Sequence, residues 1–223
     1  MDLDFSICKG IEVITLPTGR TYKTPAGNFP SITTVLGKTA YMPWLAAWKK
    51  RVGEVEAARI SKIATDRGTL IHEYLERYWD KENIREDLAK EPRDVRLMTN
   101  QLVYASKKGI TEVWAQELAV WDKELKVAGR LDLLGKWDGI PAVIDFKTSK
   151  KKKQARDIKD YYIQVASYAK SCNQLFNLNI KKLVILITVE TGDMQVFEGF
   201  VAPYLPDLRH RINQYYELEK QNV

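Results

Sequence analysis

The pattern of apolar and polar positions predicts a mainly helical first half and a strand-rich second half. Apolar residues over 43–67 recur at the three- and four-residue spacing of an amphipathic helix, which Gly68 is expected to end. Further helices are predicted over 69–79 and 94–108. A β-branched run over 11–16 indicates one strand of a small hairpin before the helices.

Beyond Gly109 the pattern changes to the alternation that is typical of strands. Three alternating segments predict an antiparallel meander: 110–121, 125–137 and 141–148. The following segments predict a helix, two strands and a terminal helix: 160–176, 182–189, 195–201 and 206–219. We therefore expect an α/β fold with a central mixed β-sheet flanked by helices. With no internal repeat or linker, 1–109 and 110–223 are expected to form a single domain.

Composition narrows the class of protein. The longest aliphatic run, 183–187, is far shorter than the roughly 18–20 residues needed to cross a bilayer. The acidic start lacks the features of a signal or transit segment, and two cysteines are too few for a disulfide framework or a four-cysteine iron–sulfur cluster. These features favour a cytoplasmic protein. The 35 Lys and Arg against 29 Asp and Glu favour a polyanionic partner.

A carboxylate face emerges when the register of the meander is counted from its turn. The dipeptide Asp138-Gly139 is a strong two-residue hairpin signal. Counting outward from it places Asp132 opposite Asp145 and Arg130 opposite Lys147, all on one face of the sheet. Two opposed carboxylates about 5 Å apart repel by roughly 3 kcal/mol, so this face requires a cation.

The required cation has two candidate sources. Lys147 and Arg130 could neutralise the carboxylates as a salt-bridge cluster. A divalent metal, Mg²⁺ or Mn²⁺, is the other, because these hard ions prefer oxygen ligands and keep open positions for water and phosphate. A predicted turn at Lys123-Glu124 adds Glu117 to the same face, opposite Arg130 and diagonal to Asp132.

Four segments together resemble a known family. Gly129-Arg130-Leu131-Asp132 followed by Ile144-Asp145-Phe146-Lys147-Thr148 resembles the signature of the PD-(D/E)XK nuclease superfamily. Arg67-Gly68-Thr69-Leu70-Ile71-His72 and Gln164-Val165-Ala166-Ser167-Tyr168 resemble the flanking motifs of its RecB-type members. The segment Pro30-Ser31-Ile32-Thr33-Thr34-Val35-Leu36 is followed by Trp44 and then by Arg67-Gly68 and His72, an order similar to that of the mitochondrial genome maintenance exonuclease group. The missing transit segment favours a phage or bacterial relative.

The resemblance implies a restriction-endonuclease-like core and a role for each matched residue. Metal would be held by His72, Asp132, Asp145 and the backbone carbonyl of Phe146, and Lys147 would be the catalytic lysine. The metal would be Mg²⁺ or Mn²⁺, with no iron–sulfur cluster. A helical histidine such as His72 is, taken by itself, more often a packed residue than a ligand.

Other candidate residues also have two interpretations. Glu117 is either a ligand through water or the partner of Arg130, and Gln164 and Tyr168 are either site residues or the polar edge of a packed helix. Hydroxyl groups at a helix start can bind phosphate, although helix capping explains them equally well. A basic loop after the third strand is by default solvated, but its position just beyond Lys147 favours phosphate contact. We assign nucleic-acid contacts to the following residues: Ser31, Thr33, Arg67, Arg130, Lys150, Lys151, Lys152 and Lys153. The aromatic residues Trp44, Trp48, Tyr74 and Trp79 are expected in the core rather than stacked on bases.

Together these features predict a metal-dependent exonuclease that removes nucleotides from single-stranded or frayed DNA ends. It would act in replication, repair or recombination. A structure-selective or site-specific endonuclease of the same superfamily is one alternative. A catalytically silent nucleic-acid-binding protein is another. A nucleotide-binding enzyme is disfavoured because neither a P-loop nor a dinucleotide glycine fingerprint follows a predicted strand.

Overall fold

A computed structural model describes residues 3–221, so the first two residues of the acidic start lie outside the described part. The strands form two sheets: β1-β2-β3 and a mixed five-stranded sheet in the order β4-β5-β6-β7-β8. The strands are Glu12–Leu16, Gly19–Thr24, Gly27–Pro30, Ile110–Asp122, Val127–Trp137, Ile140–Ser149, Lys182–Val189 and Met194–Phe200. The α-helices α1 to α7 are Ile32–Thr39, Pro43–Val52, Glu54–Trp79, Arg85–Lys90, Arg93–Gly109, Lys159–Phe176 and Leu205–Gln221. The predicted α/β fold with a flanked mixed sheet is confirmed.

The five-stranded sheet separates two layers of core. Helices α1, α6 and α7 pack on one face of the sheet, and α3, α4 and α5 pack on the other. Strands β6 and β7 run parallel, joined by the crossover helix α6, whereas the other neighbouring strands run antiparallel. Residues of β7 from Leu183 to Val189 are all buried, as expected for a strand covered on both faces.

The long helix α3 corrects the predicted helix boundaries. Gly68 does not end a helix, because it lies inside the continuous α3. Here α3 lies close to β6, since a Cβ at Gly68 would be in ordinary contact with Oγ1 of Thr148 at 3.7 Å. The break lies at Gly53 instead, where a φ of 88° separates α2 from α3.

Helix α2 corrects the expectation that the tryptophans lie in the core. This helix is described in full and contains no buried residue, and Trp44 is 64% exposed. Tyr74 does lie in the core, as expected, whereas Trp48 and Trp79 are half-buried. Helix α2 therefore presents aromatic and basic side chains to solvent beside the helix that carries His72.

The N-terminal hairpin gains a third strand that the sequence pattern did not indicate. Strand β3 pairs with β2 and leads directly into α1. Ser31 caps that helix as predicted, because its Oγ accepts a hydrogen bond of 3.0 Å from the backbone N–H of Thr34. An isolated bridge between Ser31 and Ala128 joins this small sheet to β5. Within residues 3–221, no helix has the length and apolar character needed to span a membrane.

Candidate active site

A cavity of about 680 Å³ lies where α3 crosses the ends of β5 and β6. One face of α3 forms one wall, and residues of β4, β5, β6 and α6 form the opposite wall. The start of α1 and strand β2 close one end. The following predicted site residues line it: Ser31, Thr33, His72, Glu117, Arg130, Asp132, Phe146, Lys147, Gln164 and Tyr168. The fold thus gathers residues that are far apart in the sequence.

Asp132 is fixed by the backbone of the neighbouring strand. The predicted register of β5 and β6 is confirmed from Trp137–Ile140 to Leu133–Ile144. The ladder ends there, so the predicted pairs Asp132–Asp145 and Arg130–Lys147 are not formed as ladder pairs. The reason is local, because Oδ2 of Asp132 accepts a hydrogen bond of 2.7 Å from the backbone N–H of Phe146. The carboxylate occupies the position of a backbone acceptor.

Glu117 is placed differently from the prediction. The loop between β4 and β5 holds four residues rather than two, since Asp122 pairs with Val127. This moves the register by two residues, which keeps Glu117 on the same face but sets it opposite Asp132 instead of Arg130. The predicted facing of Glu117 and Arg130 is therefore wrong. Glu117 also has a φ of 45°, an unfavourable left-handed conformation within a strand.

His72 faces both carboxylates from α3. Its Nδ1 lies 3.5 Å from Oδ1 of Asp132 and 4.0 Å from Oε1 of Glu117. Its ring is nearly perpendicular to the buried ring of Phe146, at 82°, with 6.4 Å between ring centroids. His72 thus presents Nδ1 to the two carboxylates.

This donor set suits a hard divalent cation. One ligating atom from each of His72, Glu117 and Asp132 lies within 4.8 Å of the other two. Carboxylate oxygens are the preferred ligands of Mg²⁺ and Mn²⁺, and imidazole is compatible with Mn²⁺. Asp145 does not join this group in the structure, and its predicted role as a ligand stays a prediction, as does that of the Phe146 carbonyl.

The buried Asp145 and the half-buried Lys147 form an ion pair beside the donor set. Oδ2 of Asp145 lies 2.5 Å from Nζ of Lys147, and Asp145 is 1% exposed. Oδ1 of Asp145 accepts a hydrogen bond of 3.3 Å from Nε2 of Gln164. Oδ1 of Asp145 thus has a hydrogen-bond partner, whereas its buried Oδ2 has the Lys147 ammonium as an ionic neighbour and accepts no hydrogen bond.

The protonation equilibria reflect crowded negative charge. Burial and the neighbouring Asp132 carboxylate raise the pKa of Glu117 to about 7. Burial, partly offset by Lys147, raises the pKa of Asp145 to about 6. Burial alone would lower the pKa of His72, but Asp132 outweighs it and raises this pKa to about 9. The site binds protons tightly, and a metal ion would compete with them.

Helix α6 supplies a second row of polar side chains. Nε2 of Gln164 lies 3.1 Å from the hydroxyl oxygen of Tyr168, and both residues are buried. Gly129 gives the Tyr168 ring its space, because a Cβ at Gly129 would lie 2.5 Å from Cε1 of that ring. Gln164 and Tyr168 therefore line the cavity, and Gln164 contacts Asp145 rather than Lys147. Their predicted catalytic role stays a prediction.

The rim of the cavity carries hydroxyl and guanidinium groups. Ser31 is buried, with its Oγ 2.9 Å from Oγ1 of Thr33, whereas Thr33 and Arg130 are exposed. Arg20 of β2 also lines the rim, and nothing in the sequence connected it with the site. Glu76 does so too, and its position one helical turn after His72 was the available signal.

Other predicted nucleic-acid contacts lie outside the cavity. Arg67 is 12% exposed and forms ion pairs with Asp94 at 3.1 Å and with Glu190 at 2.6 Å, which indicates a structural role. The four consecutive lysines at 150–153 follow β6 directly and do not line the cavity. Lys150 and Lys151 are exposed, Lys152 pairs with Asp193, and Lys153 is half-buried. Phosphate contacts by these lysines stay a prediction.

Comparisons with known proteins match this chain to a family model and to solved structures. Residues 44–197 match the family model of the PD-(D/E)XK nuclease superfamily. No curated protein matches the chain. A crystal structure of a candidate exonuclease from Eubacterium rectale aligns with a TM-score of 0.47 at 8% identity, over 70% of this chain and 69% of that one. The crystal structure of SSO0001 aligns with a TM-score of 0.36 at 18% identity, over 67% of this chain and 84% of that one.

The family model covers more than half of the chain, including every element that forms the acidic site. Its span contains His72, Glu117 and Asp132, the pair Asp145 and Lys147, and the α6 residues that contact them. The chain belongs to the PD-(D/E)XK nuclease superfamily.

Proposed function

We propose that this protein is a metal-dependent exonuclease that hydrolyses phosphodiester bonds at single-stranded or frayed DNA ends. The observation that carries the proposal is the convergence of His72, Glu117 and Asp132 beside the ion pair of Asp145 and Lys147. The preference for ends rests on the resemblance of the sequence to RecB-type exonucleases. We place the activity in DNA replication, repair or recombination in the cytoplasm of a bacterium or of a phage-infected cell.

Each residue has a defined task in this proposal. His72, Glu117 and Asp132 would hold the metal, with the backbone N–H of Phe146 fixing Asp132. A bound Mg²⁺ or Mn²⁺ supplies Lewis acidity and lowers the pKa of a coordinated water. Lys147 brings positive charge to the cavity wall, where it can neutralise a phosphate oxygen.

The α6 residues and the rim complete the proposed site. Gln164 holds one oxygen of Asp145, so Asp145 keeps the orientation in which it pairs with Lys147. Exposed Arg130 and the hydroxyl of Thr33 lie where they can contact the phosphates of a bound strand. The net charge of +6 supports a polyanionic substrate.

A catalytically silent DNA-binding protein is the second candidate. The observation in its favour is the 2.5 Å ion pair of Asp145 with Lys147, which neutralises one carboxylate without metal. In that case the acidic face would be a structural cluster. Binding without turnover, in the presence of Mg²⁺ or Mn²⁺, would favour this candidate.

The test uses linear single-stranded, linear duplex and covalently closed circular DNA with wild-type protein and the Lys147→Ala variant. Each substrate is incubated with Mg²⁺ or with a chelator, and product lengths are followed from a label at either end. We expect linear single strands to shorten only with metal and only with wild type, while circles survive. Cut circles would indicate an endonuclease and contradict the end preference.

A further inference from the structure

Lys147 contacts an aromatic side chain that none of the sequence motifs includes. Its Nζ lies over the ring of Tyr161, 5.4 Å from the ring centroid. Tyr161 is half-buried and packs against the core layer under α6. A cation within about 6 Å of an aromatic face is attracted by the ring quadrupole. The ammonium group therefore has two neighbours, the Asp145 carboxylate and the Tyr161 ring.

The position of Tyr161 on α6 gives this contact its significance. Tyr161, Gln164 and Tyr168 follow at intervals of three and four residues, so they lie on one face of the helix. Along this face Gln164 contacts Asp145 and Tyr161 contacts Lys147. One face of α6 thus contacts both members of the ion pair, Asp145 and Lys147, which are alternate residues of β6.

The chemistry of the contact suits a lysine that must act on substrate. An ammonium group has three N–H donors, and the neighbouring Oδ2 of Asp145 balances its charge without accepting a hydrogen bond from it. A ring face attracts the positive charge without requiring a localised acceptor, so the donors stay available. A lysine side chain has four rotatable bonds, and without a second contact it would sample other positions.

We propose that Tyr161 is a positioning residue, which holds the Lys147 ammonium at the cavity wall so that its free N–H groups reach the substrate phosphate. This inference rests on the proposed nuclease function for its kinetic consequence. The contact itself does not depend on that function. A metal that attracts Asp145 would weaken the ion pair, whereas the contact with Tyr161 would persist.

The test compares Tyr161→Phe, which keeps the ring, with Tyr161→Leu, which removes it. Tyr204→Leu is the matched control, because Tyr204 stacks on Tyr162 of the same helix at 4.7 Å between centroids. We expect Tyr161→Leu to lower kcat about five- to thirtyfold with KM changed less than about twofold. Tyr161→Phe and Tyr204→Leu should stay within about twofold of wild type in kcat.

A spectroscopic readout separates this inference from the nuclease proposal. Ring current from Tyr161 should move the Lys147 ε-methylene NMR signal upfield, and the signal is assigned by its loss in Lys147→Arg. We expect the upfield position to persist in Tyr161→Phe and to vanish in Tyr161→Leu. Equal kcat for the Phe and Leu variants, or an unshifted Lys147 signal in wild type, would overturn the inference. If wild type cleaves no nucleic acid but shows the shifted signal, the nuclease proposal fails and the contact stands.

Discussion

Replacing Glu117 by Gln should stabilise the metal-free protein at pH 8. Gln has the same shape as Glu, so the change removes charge while keeping the packing and the backbone conformation. Glu117 lies opposite Asp132, and burial together with that carboxylate raises its pKa from 4.5 to about 7. The side chain of Glu117 is 26% exposed, so solvent screens this repulsion incompletely. Ionised Glu117 is therefore an unfavourable group in the folded state.

The magnitude and its dependence on pH follow from linkage. The folded protein holds the Glu117 proton more tightly than the unfolded chain, so stability falls as pH rises from 4.5 through about 7. At pH 8 the raised pKa of Glu117 lowers the free energy of unfolding by about 3 kcal/mol, and this loss vanishes at pH values well below 4.5. For a protein of this size that is about 6–12 °C in Tm. The advantage of Glu117→Gln should follow the same pH dependence.

The assay is urea unfolding in a chelator at pH 8 and pH 4.5, repeated at pH 8 with Mg²⁺. The control variant is Glu73→Gln, because Glu73 is an exposed residue of α3 that lines the same cavity. Glu73→Gln should change the free energy of unfolding by less than about 0.5 kcal/mol. Mg²⁺ should stabilise wild type more than Glu117→Gln, because Gln offers a weaker ligand.

Either of two results would refute this reasoning. If Glu117→Gln is less stable than wild type in chelator at pH 8, then Glu117 forms a stabilising ion pair with His72. The acidic face would in that case be a structural salt-bridge cluster rather than a metal site. A pH-independent difference between the two proteins would equally contradict an effect of Glu117 ionisation.

Three further substitutions test other parts of the site. Gly129→Ala places a Cβ 2.5 Å from the Tyr168 ring and should cost about 1–3 kcal/mol of unfolding free energy and at least about tenfold in kcat, measured by urea unfolding and turnover. Trp44→Ala should change stability by less than about 0.5 kcal/mol but weaken single-stranded DNA binding, measured by fluorescence anisotropy, by about 1–3 kcal/mol. The control Tyr104→Ala removes an equally exposed aromatic ring and should leave binding unchanged. Arg67→Ala should destabilise the fold by about 1–3 kcal/mol through loss of the Asp94 and Glu190 contacts, with DNA affinity within about twofold; a larger loss of affinity at unchanged stability would indicate a phosphate contact.

The strands of the meander show which features a sequence pattern determines. Asp138-Gly139 specifies a two-residue turn whose geometry is local, so the register of β5 and β6 follows from it. The turn between β4 and β5 carries a weaker signal. There Oδ1 of Asp122 accepts hydrogen bonds from the N–H groups of Glu124 and Leu125, which forms a longer loop. Because of this side-chain capping, the register of β4 and β5 differs by two residues from the predicted one, and Glu117 stays on the predicted face of the sheet.

The helix boundaries are a feature that the sequence pattern did not determine. Gly68 and Gly53 are both glycines in a polar helical region, and the sequence pattern assigned the end of the helix to the wrong one. Gly68 stays helical because α3 packs against β6 there, whereas Gly53 has a φ of 88° where α2 leaves the core. The contact of α3 with the sheet is tertiary, so local propensity could not reveal it.

The sequence indicated which residues lie near one another in the candidate site better than it indicated which of them are in contact. The motif residues His72, Asp132 and Lys147 converge as the sequence predicted. The contact of Asp145 with Gln164 could not be predicted, because it depends on the distance of α6 from β6. The ion pair with Lys147 was one of the two interpretations that the sequence offered. Tyr161 carries no motif signal for the same reason.

The most direct test of the central claim is the rate of hydrolysis of a linear single-stranded oligonucleotide as Mg²⁺ is titrated against chelator. It compares wild type with Asp132→Asn and includes DNA binding measured in Ca²⁺ for both. We predict that wild type hydrolyses the strand only with Mg²⁺, whereas Asp132→Asn binds the strand and loses at least about 100-fold in rate. Equal rates for the two proteins, or hydrolysis that persists in chelator, would contradict a metal-dependent site built on Asp132.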